Sequence, residues 1–230
     1  MFFLSPTDIL LLGIGFVITM YAQTKVKSTF ARYSKVRSRG GLTGAQVAGN
    51  ILSKNGIYDV QIEETQGRLS DHYDPVKKKL RLSSEIYHST SVAALGVAAH
   101  EAGHAIQHKV AYAPLNIRHG LFPIANIGSS LAMPLFIIGL FFQRGMGFLM
   151  DIGIYLFLGA VVFQLVTLPV EFNASKRALH QLETGGYLAR DEIGSAKRVL
   201  SAAALTYVAA AAVAIMHLVR LLLIRGAVDE

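Results

Sequence analysis

The chain has 230 residues, a formal net charge of +7, 52% hydrophobic residues and only 16% charged residues. This composition is too apolar for an ordinary soluble domain and predicts several membrane spans beside one compact domain. The chain has no Cys, which excludes disulfides and thiolate zinc sites. The basic residues lack the interleaved aromatic pattern of a nucleic-acid surface, so we expect no nucleic-acid partner.

The first apolar stretch covers residues 1–22 and is long enough for a transmembrane helix. A cleaved signal peptide is the alternative, but no Lys or Arg precedes the stretch and a basic cluster follows it. The positive-inside rule places the N-terminus outside and this cluster in the cytoplasm, where we expect it to contact lipid headgroups. The cluster consists of Lys25, Lys27, Arg32, Lys35, Arg37 and Arg39.

Residues 23–120 are predicted to form a small cytoplasmic α+β segment. Thr43 is a suitable N-cap for a helix that ends at about Lys54. Residues 60–63 and 79–82 alternate apolar and polar side chains, which predicts two short paired strands. An exposed edge of such a sheet suits an extended peptide substrate. Residues 71–75 are predicted to form a polar loop, either as plain turn chemistry or as a part of the functional site.

The most informative motif lies in the helix predicted for residues 91–108, for which Ser91 is a good N-cap. His100, Glu101 and His104 form an H-E-x-x-H pattern within it. Two His four residues apart lie roughly 40° apart around a helix, so both imidazoles can bind one metal ion. The Glu between them can act as a general base toward a metal-activated water. The alternative is a helix whose two His side chains only pack or contact water.

Three further apolar stretches predict spans at residues 121–142, 148–170 and 202–224, with a cytoplasmic helix or loop at residues 171–201. The second and third spans would form a hairpin. The third span would therefore return to the cytoplasm at residue 170, on the side that we expect to hold His100 and His104. An odd number of intervening spans would have separated Glu171 from these His residues.

Glu171 is thus the favoured third ligand of a zinc site with two His, one Glu and an open position for water. Taken alone, a carboxylate at this position would be expected to pair with Lys or Arg at a helix end. The H-E-x-x-H pattern changes that expectation in favour of ligation. Four other acidic residues remain candidates for the same role: Asp71, Asp74, Glu183 and Glu192.

These residues resemble a known family. The H-E-x-x-H pattern followed by Glu171 is similar to the gluzincin pattern of the HtpX and Ste24 membrane peptidases, and the chain resembles the bacterial YugP-like neutral zinc metallopeptidases more closely. The similarity covers nearly the whole chain and rests on residues 71–75, 97–101, 167–172 and 202–209. It implies a multi-pass membrane zinc peptidase with one Zn²⁺ per chain. It also implies that His100, His104 and Glu171 are ligands and that Glu101 is the base.

One position departs from the HtpX and Ste24 pattern, in which an Asp four residues after the ligand Glu supports a zinc-binding His. Here that position is Ser175, so support for the His is expected either to be weaker, from Ser175 itself, or to come from elsewhere, with Asn173 and the loop at residues 71–74 as candidates. Further candidates for supporting the ligands, contacting substrate or stabilising the oxyanion are His72, Arg177, His180 and Tyr207.

The fold class expected from these features is mainly α. About four transmembrane helices would carry a small cytoplasmic gluzincin-like α+β metallopeptidase domain. The expected function is hydrolysis of peptide bonds, with membrane or misfolded proteins as substrates, at an active site that faces the cytoplasm from a multi-pass protein of the cell membrane. One alternative is an intramembrane-cleaving metalloprotease, which polar residues around the motif helix and the lack of an Asp-Gly ligand motif disfavour. The other is a non-catalytic zinc-binding membrane scaffold.

Overall fold

The computed structural model describes residues 6–67 and 70–229, so the first five residues of the predicted first span lie outside it. Long helices dominate the described part and a small sheet interrupts them. In chain order the elements are α1 (Pro6–Tyr33), α2 (Gly44–Lys54), β1 (Gln61–Thr65), β2 (His72–Asp74), β3 (Lys79–Ser83), α3 (Ser84–Tyr87), α4 (Val92–Lys109), α5 (Ala113–Phe141), α6 (Gln143–Met146), α7 (Phe148–Thr184) and α8 (Arg190–Asp229).

Four of these helices, α1, α5, α7 and α8, are long and apolar enough to cross a membrane. Only 11% to 33% of each apolar window is buried within the protein. Side chains such as Phe16, Phe122 and Tyr155 are exposed, which suits contact with lipid rather than water. The expected multi-pass helical architecture with a small α+β part is confirmed. All four helices continue beyond the apolar stretches that the sequence delimits, since their polar ends keep helical backbone.

The chain divides into two compact units. The span unit contains the residues up to Gln23, then Asn116–Pro169, and the residues from Thr206 onward. The motif unit contains Thr24–Leu115 and Val170–Leu205.

Within the span unit, α5 and α7 pack closely. A Cβ at Gly153 would lie 2.6 Å from the carbonyl oxygen of Ala132, so only a residue without a side chain fits there. Two ion pairs lie within this unit. Arg220 donates to Asp8 over 3.0 Å, and Arg225 donates to Asp151 over 2.8 Å. Arg220 thus lies against a buried carboxylate.

The core of the motif unit forms around α4. Buried side chains of α2, β3, α3 and α4 pack with the end of α7 and the start of α8. Leu80 and Leu82 of β3 and Leu95 of α4 are completely buried. Thr43 is the N-cap of α2, as the sequence predicts, and its side chain accepts from the backbone of Gln46 in a capping box.

The sheet has the strand order β1-β3-β2, with β1 parallel and β2 antiparallel to β3. The two predicted strands do pair, but the prediction of a loop for residues 71–75 was wrong, because residues 72–74 form β2. Three residues are too few for an alternating pattern to be recognised in the sequence. The turn after β2 begins at Asp74, whose carboxylate accepts from the backbone of Val76 and Lys77.

Candidate metal centre

Helix α4 carries the two His residues of the motif. The side chain of Ser91 caps its N-terminus by accepting from the backbone of Ala94 at 3.1 Å. Helical periodicity then places His100 and His104 on one face, with ring centroids 4.8 Å apart and planes at 86°. The two imidazoles are therefore neighbours that can approach one ion from different directions.

The third member of the group, a carboxylate, comes from α7, in the part of that helix that belongs to the motif unit. The close approach of α4 and α7 depends on Gly103, where a Cβ would lie 2.7 Å from the carbonyl oxygen of Ala174. This approach brings Glu171, whose side chain is almost fully buried, against both His rings. The small residues that the motif helix carries thus have a direct effect on the site.

The three side chains form one compact group. The Glu171 Oε2 atom lies 3.1 Å from His100 Nε2 and 3.6 Å from His104 Nε2. Within the described residues, this is the one group of three or more metal-binding side chains that could hold an ion, with one ligand atom of each within 4.8 Å of the others. Glu171 and the two His therefore lie together although 71 residues separate His100 from the Glu.

This donor set fits zinc. Ligand atoms at roughly 2.0–2.2 Å from a tetrahedral zinc ion lie about 3.3 Å from one another, close to the two distances between Glu171 and the imidazoles. Two imidazoles and one carboxylate are also the ligand types of catalytic zinc sites that keep a fourth position open. The geometry and the chemistry of the donors thus agree.

A chain of hydrogen bonds holds His104. Its Nδ1 lies 2.9 Å from the side-chain oxygen of Gln107, which is completely buried. The Gln107 amide in turn donates to the Val170 carbonyl at 2.8 Å and to the side chain of Asn173 at 3.0 Å. Arg177 donates to the same Asn173 oxygen at 2.7 Å. With its oxygen facing Nδ1, Gln107 favours the tautomer that leaves Nε2 of His104 available for a metal.

A second contact holds His100. The Ser175 hydroxyl lies 3.1 Å from its Nδ1. The residue that differs from the HtpX and Ste24 pattern therefore does contact the imidazole. A hydroxyl is neutral, whereas the Asp of the HtpX and Ste24 pattern would be charged. Ser175 can therefore orient the ring without adding the negative charge that raises ligand basicity.

Glu101 lies between the two His residues in sequence and is 9% exposed. It is close enough to His104 to affect its titration. Burial lowers the pKa of His104, but contact with the Glu171 carboxylate and the charge of Glu101 outweigh burial, and the pKa is raised above its ordinary value. This part of the site thus has a negative electrostatic character that suits a cation.

Some residues that the sequence singles out lie in other structural roles. Asp71 accepts from the backbone and hydroxyl of Ser83, where α3 begins, and His72 contacts Arg81 within the sheet. Tyr207 belongs to the span unit. The other carboxylate candidates, Asp74, Glu183 and Glu192, are not in the group that could hold an ion.

Two polar contacts near the site involve residues of α4 that the sequence did not single out, Gln107 and His108. Gln107 was missed, although its position three residues after His104 puts both on one helix face. His108 has its Nδ1 2.8 Å from the hydroxyl of Tyr73 in β2, so the end of α4 is tied to the sheet. Burial and the nearby carboxylates of Asp59 and Asp74 raise the pKa of Tyr73 to about 12, so its hydroxyl stays protonated.

The comparisons with known proteins agree with this site. Residues 8–226 match the family described as "Putative neutral zinc metallopeptidase". A Bacillus subtilis (strain 168) relative named "Putative membrane protease YugP" is 48% identical over 207 residues, which cover 90% of this chain and 91% of the relative. No solved structure matches the chain. With a family match over almost its full length and this relative, the chain belongs to the neutral zinc metallopeptidase family that its sequence resembles.

Proposed function

We propose that this protein is a zinc-dependent endopeptidase that hydrolyses peptide bonds of membrane or misfolded proteins at the cytoplasmic face of the cell membrane. The observation that carries the proposal is the group of His100, His104 and Glu171, of which His104 and Glu171 are buried, with Glu101 beside it on α4. The family and the name of the B. subtilis relative support a membrane zinc peptidase.

His100, His104 and Glu171 would hold one zinc ion per chain, the gluzincin arrangement. When bound there, zinc supplies a Lewis acid that polarises the scissile carbonyl and makes water a stronger acid. Gln107 and Ser175 hold the two imidazoles in orientation, so each offers its Nε2. The carboxylate of Glu101 accepts the proton of the attacking water and then donates it to the leaving amine.

The cytoplasmic position rests on charge and connectivity. The basic cluster of residues 25–39 follows the first span, and two spans separate the motif helix from Glu171. An even number of crossings returns the chain to the side from which it started. The N-terminus of α1 would accordingly be outside the cell.

The proposal is tested with the full-length protein purified in detergent, with casein and an unfolded membrane protein as substrates. Glu101→Gln is expected to lower the cleavage rate by at least roughly a hundredfold, since an amide cannot act as a base. Zinc content, measured by mass spectrometry, is expected to stay at the wild-type level because Glu101 is not a ligand.

Glu183→Gln is the matched control, since Glu183 is exposed and lies outside the metal-binding group. This variant is expected to cleave at the wild-type rate. Full activity of Glu101→Gln would refute the proposed role of the base. Zinc bound without cleavage of any substrate by the wild type would instead favour a zinc-binding scaffold.

A further inference from the structure

A basic cleft in the motif unit has no part in the proposed hydrolysis. Its cavity is about 730 Å³ and lies between residues 25–33 of α1 and residues 194–205 of α8. Four cationic side chains line it: Lys25, Arg32, Lys197 and Arg198. No carboxylate is among the lining residues, so the cleft is suited to an anion.

Two of the cations are held in place by one aromatic residue. Arg198 donates to the hydroxyl of Tyr33 at 3.0 Å, and the guanidinium of Arg32 lies 5.6 Å from the centroid of the same ring. Tyr33 itself is buried, with 6% of its surface exposed. A fixed anchor of this kind reduces the side-chain freedom that an anion would otherwise remove on binding.

The positive charge of the cleft is not neutralised by carboxylates. Within the described residues, Lys25, Arg32, Lys197 and Arg198 make no ion pair with a carboxylate. The hydroxyls of Ser28 and Ser201 also line the cleft and can donate to phosphate oxygens. The cleft therefore combines uncompensated positive charge with neutral donors, which is the chemistry of a phosphate site.

The positions of the cleft cations along α1 and α8 favour a lipid headgroup over free phosphate as the source of the phosphate. Lys25 follows the apolar stretch of α1 within one continuous helix, and Lys197 precedes the apolar stretch of α8 in the same way. Ala202 and Leu205 extend the lining toward that apolar stretch. The cations lie at the ends of two candidate spans and can bind an anionic headgroup. The apolar side chains that follow them can contact the acyl chains of the same lipid.

We propose that this cleft binds the phosphate of an anionic phospholipid, with Lys25, Arg32, Lys197 and Arg198 as its cationic contacts. The site is separate from the metal-binding group and does not depend on peptidase activity. It supplies a specific lipid contact beside the apolar stretches of α1 and α8, beyond the general attraction of a basic surface.

The test uses the full-length protein in neutral detergent and measures the binding of short-chain phosphatidylglycerol by native mass spectrometry. Phosphatidylcholine of the same chain length and inorganic phosphate are the comparison ligands. The wild type is expected to bind phosphatidylglycerol at least about tenfold more tightly than either of them. Equal binding of phosphatidylcholine would refute the proposal, and equal binding of inorganic phosphate would show a site for soluble phosphate instead of lipid.

The informative variant is Lys25→Gln with Lys197→Gln, which removes two exposed cations of the cleft and leaves the Arg198–Tyr33 contact intact. Its affinity for phosphatidylglycerol is expected to fall at least about tenfold. Lys27→Gln with Lys35→Gln is the matched control, since both lysines are exposed, belong to the same basic cluster and do not line the cleft.

The control is expected to keep wild-type affinity within about twofold, because charges outside the cleft lie in high dielectric and are screened. Equal losses in the two double variants would overturn the proposal, since net charge alone would then explain binding. Arg32→Gln removes one other cation of the cleft and is expected to lower the affinity for phosphatidylglycerol by a smaller factor. Unchanged zinc content in every variant would show that the fold of the motif unit persists.

Discussion

At the scale of single residues, Gln107 links the metal-binding group to the rest of the motif unit. Its amide oxygen faces Nδ1 of His104, and its amide nitrogen donates to both Val170 and Asn173. One side chain thus contacts the imidazole of His104 and ties α4 to the part of α7 that carries Glu171.

We expect Gln107→Ala to weaken zinc binding by roughly 10- to 100-fold, because His104 loses its orienting partner while all three ligands remain. The dissociation constant, measured by competition with a zinc chelator, tests this. Gln46→Ala is the control for loss of a Gln side chain, since the Gln46 side chain lies in the capping box of α2 and outside the metal-binding group. Wild-type affinity in Gln107→Ala would contradict the orienting role.

Glu171 is the proposed third ligand of the metal-binding group. Glu171→Ala removes a carboxylate within 3.6 Å of both Nε2 atoms and is expected to lower zinc content to the level of His104→Ala. Elemental analysis of purified protein measures it. Unchanged zinc in Glu171→Ala would mean that another group completes the site.

At the scale of elements, the spacing between α4 and α7 decides whether the three ligands meet. At Gly103 the two helices leave no room for a side chain, because the atom that a Cβ would meet is the backbone carbonyl oxygen of Ala174. Backbone atoms cannot rotate away as the end of a flexible side chain can. Even the smallest added side chain must therefore displace one helix against the other.

Gly103→Ala is expected to destabilise the protein by about 1–3 kcal/mol and to reduce zinc binding, since the helices must separate. Gly96→Ala, on the same helix, places its Cβ 3.9 Å from Ala196 and is expected to be neutral or stabilising by up to about 1 kcal/mol. Thermal unfolding and zinc content of the pair test this. Similar behaviour of the two variants would exclude helix spacing as the cause.

The sheet shows what sequence patterns miss at this scale. The alternation in β1 and β3 is visible because each strand has five residues, whereas β2 has three and is followed by a turn. The pairing of β2 is established by its antiparallel register with β3, in which Tyr73 faces Leu80. Such a contact between strands is not encoded in a local period.

At the scale of the whole molecule, the proposed topology predicts which side of the membrane each segment faces. The chain has no Cys, so single Cys substitutions report without background. In intact cells, a membrane-impermeant maleimide is expected to label Arg144→Cys, which lies between the second and third predicted spans. Lys35→Cys and Lys176→Cys are expected to react only after the cells are opened.

Labelling of Lys35→Cys in intact cells would contradict the proposed orientation and would place the N-terminus of α1 inside the cell. Labelling of Lys35→Cys and Lys176→Cys on opposite sides would contradict an even number of crossings between them. The three positions are exposed, so failure to react in intact cells reports the membrane and not burial within the protein.

The sequence by itself determined the features that depend on short-range order. Ser91 and Thr43 cap their helices as expected, His100 and His104 share a helix face, and four apolar stretches lie in helices long enough to span a membrane. These features follow from helical periodicity, capping and hydrophobic length, each of which is set by residues close together in the chain.

Only the tertiary structure decided which distant groups meet the motif helix. It brought Glu171 rather than Asp71, Asp74, Glu183 or Glu192 to the two His, and it placed Gln107 and Ser175 against them. These contacts depend on how closely α4 and α7 pack, which small residues permit but no local pattern specifies. The basic cleft of α1 and α8 arises in the same way, since its cations are far apart in sequence and converge only when the helices pack.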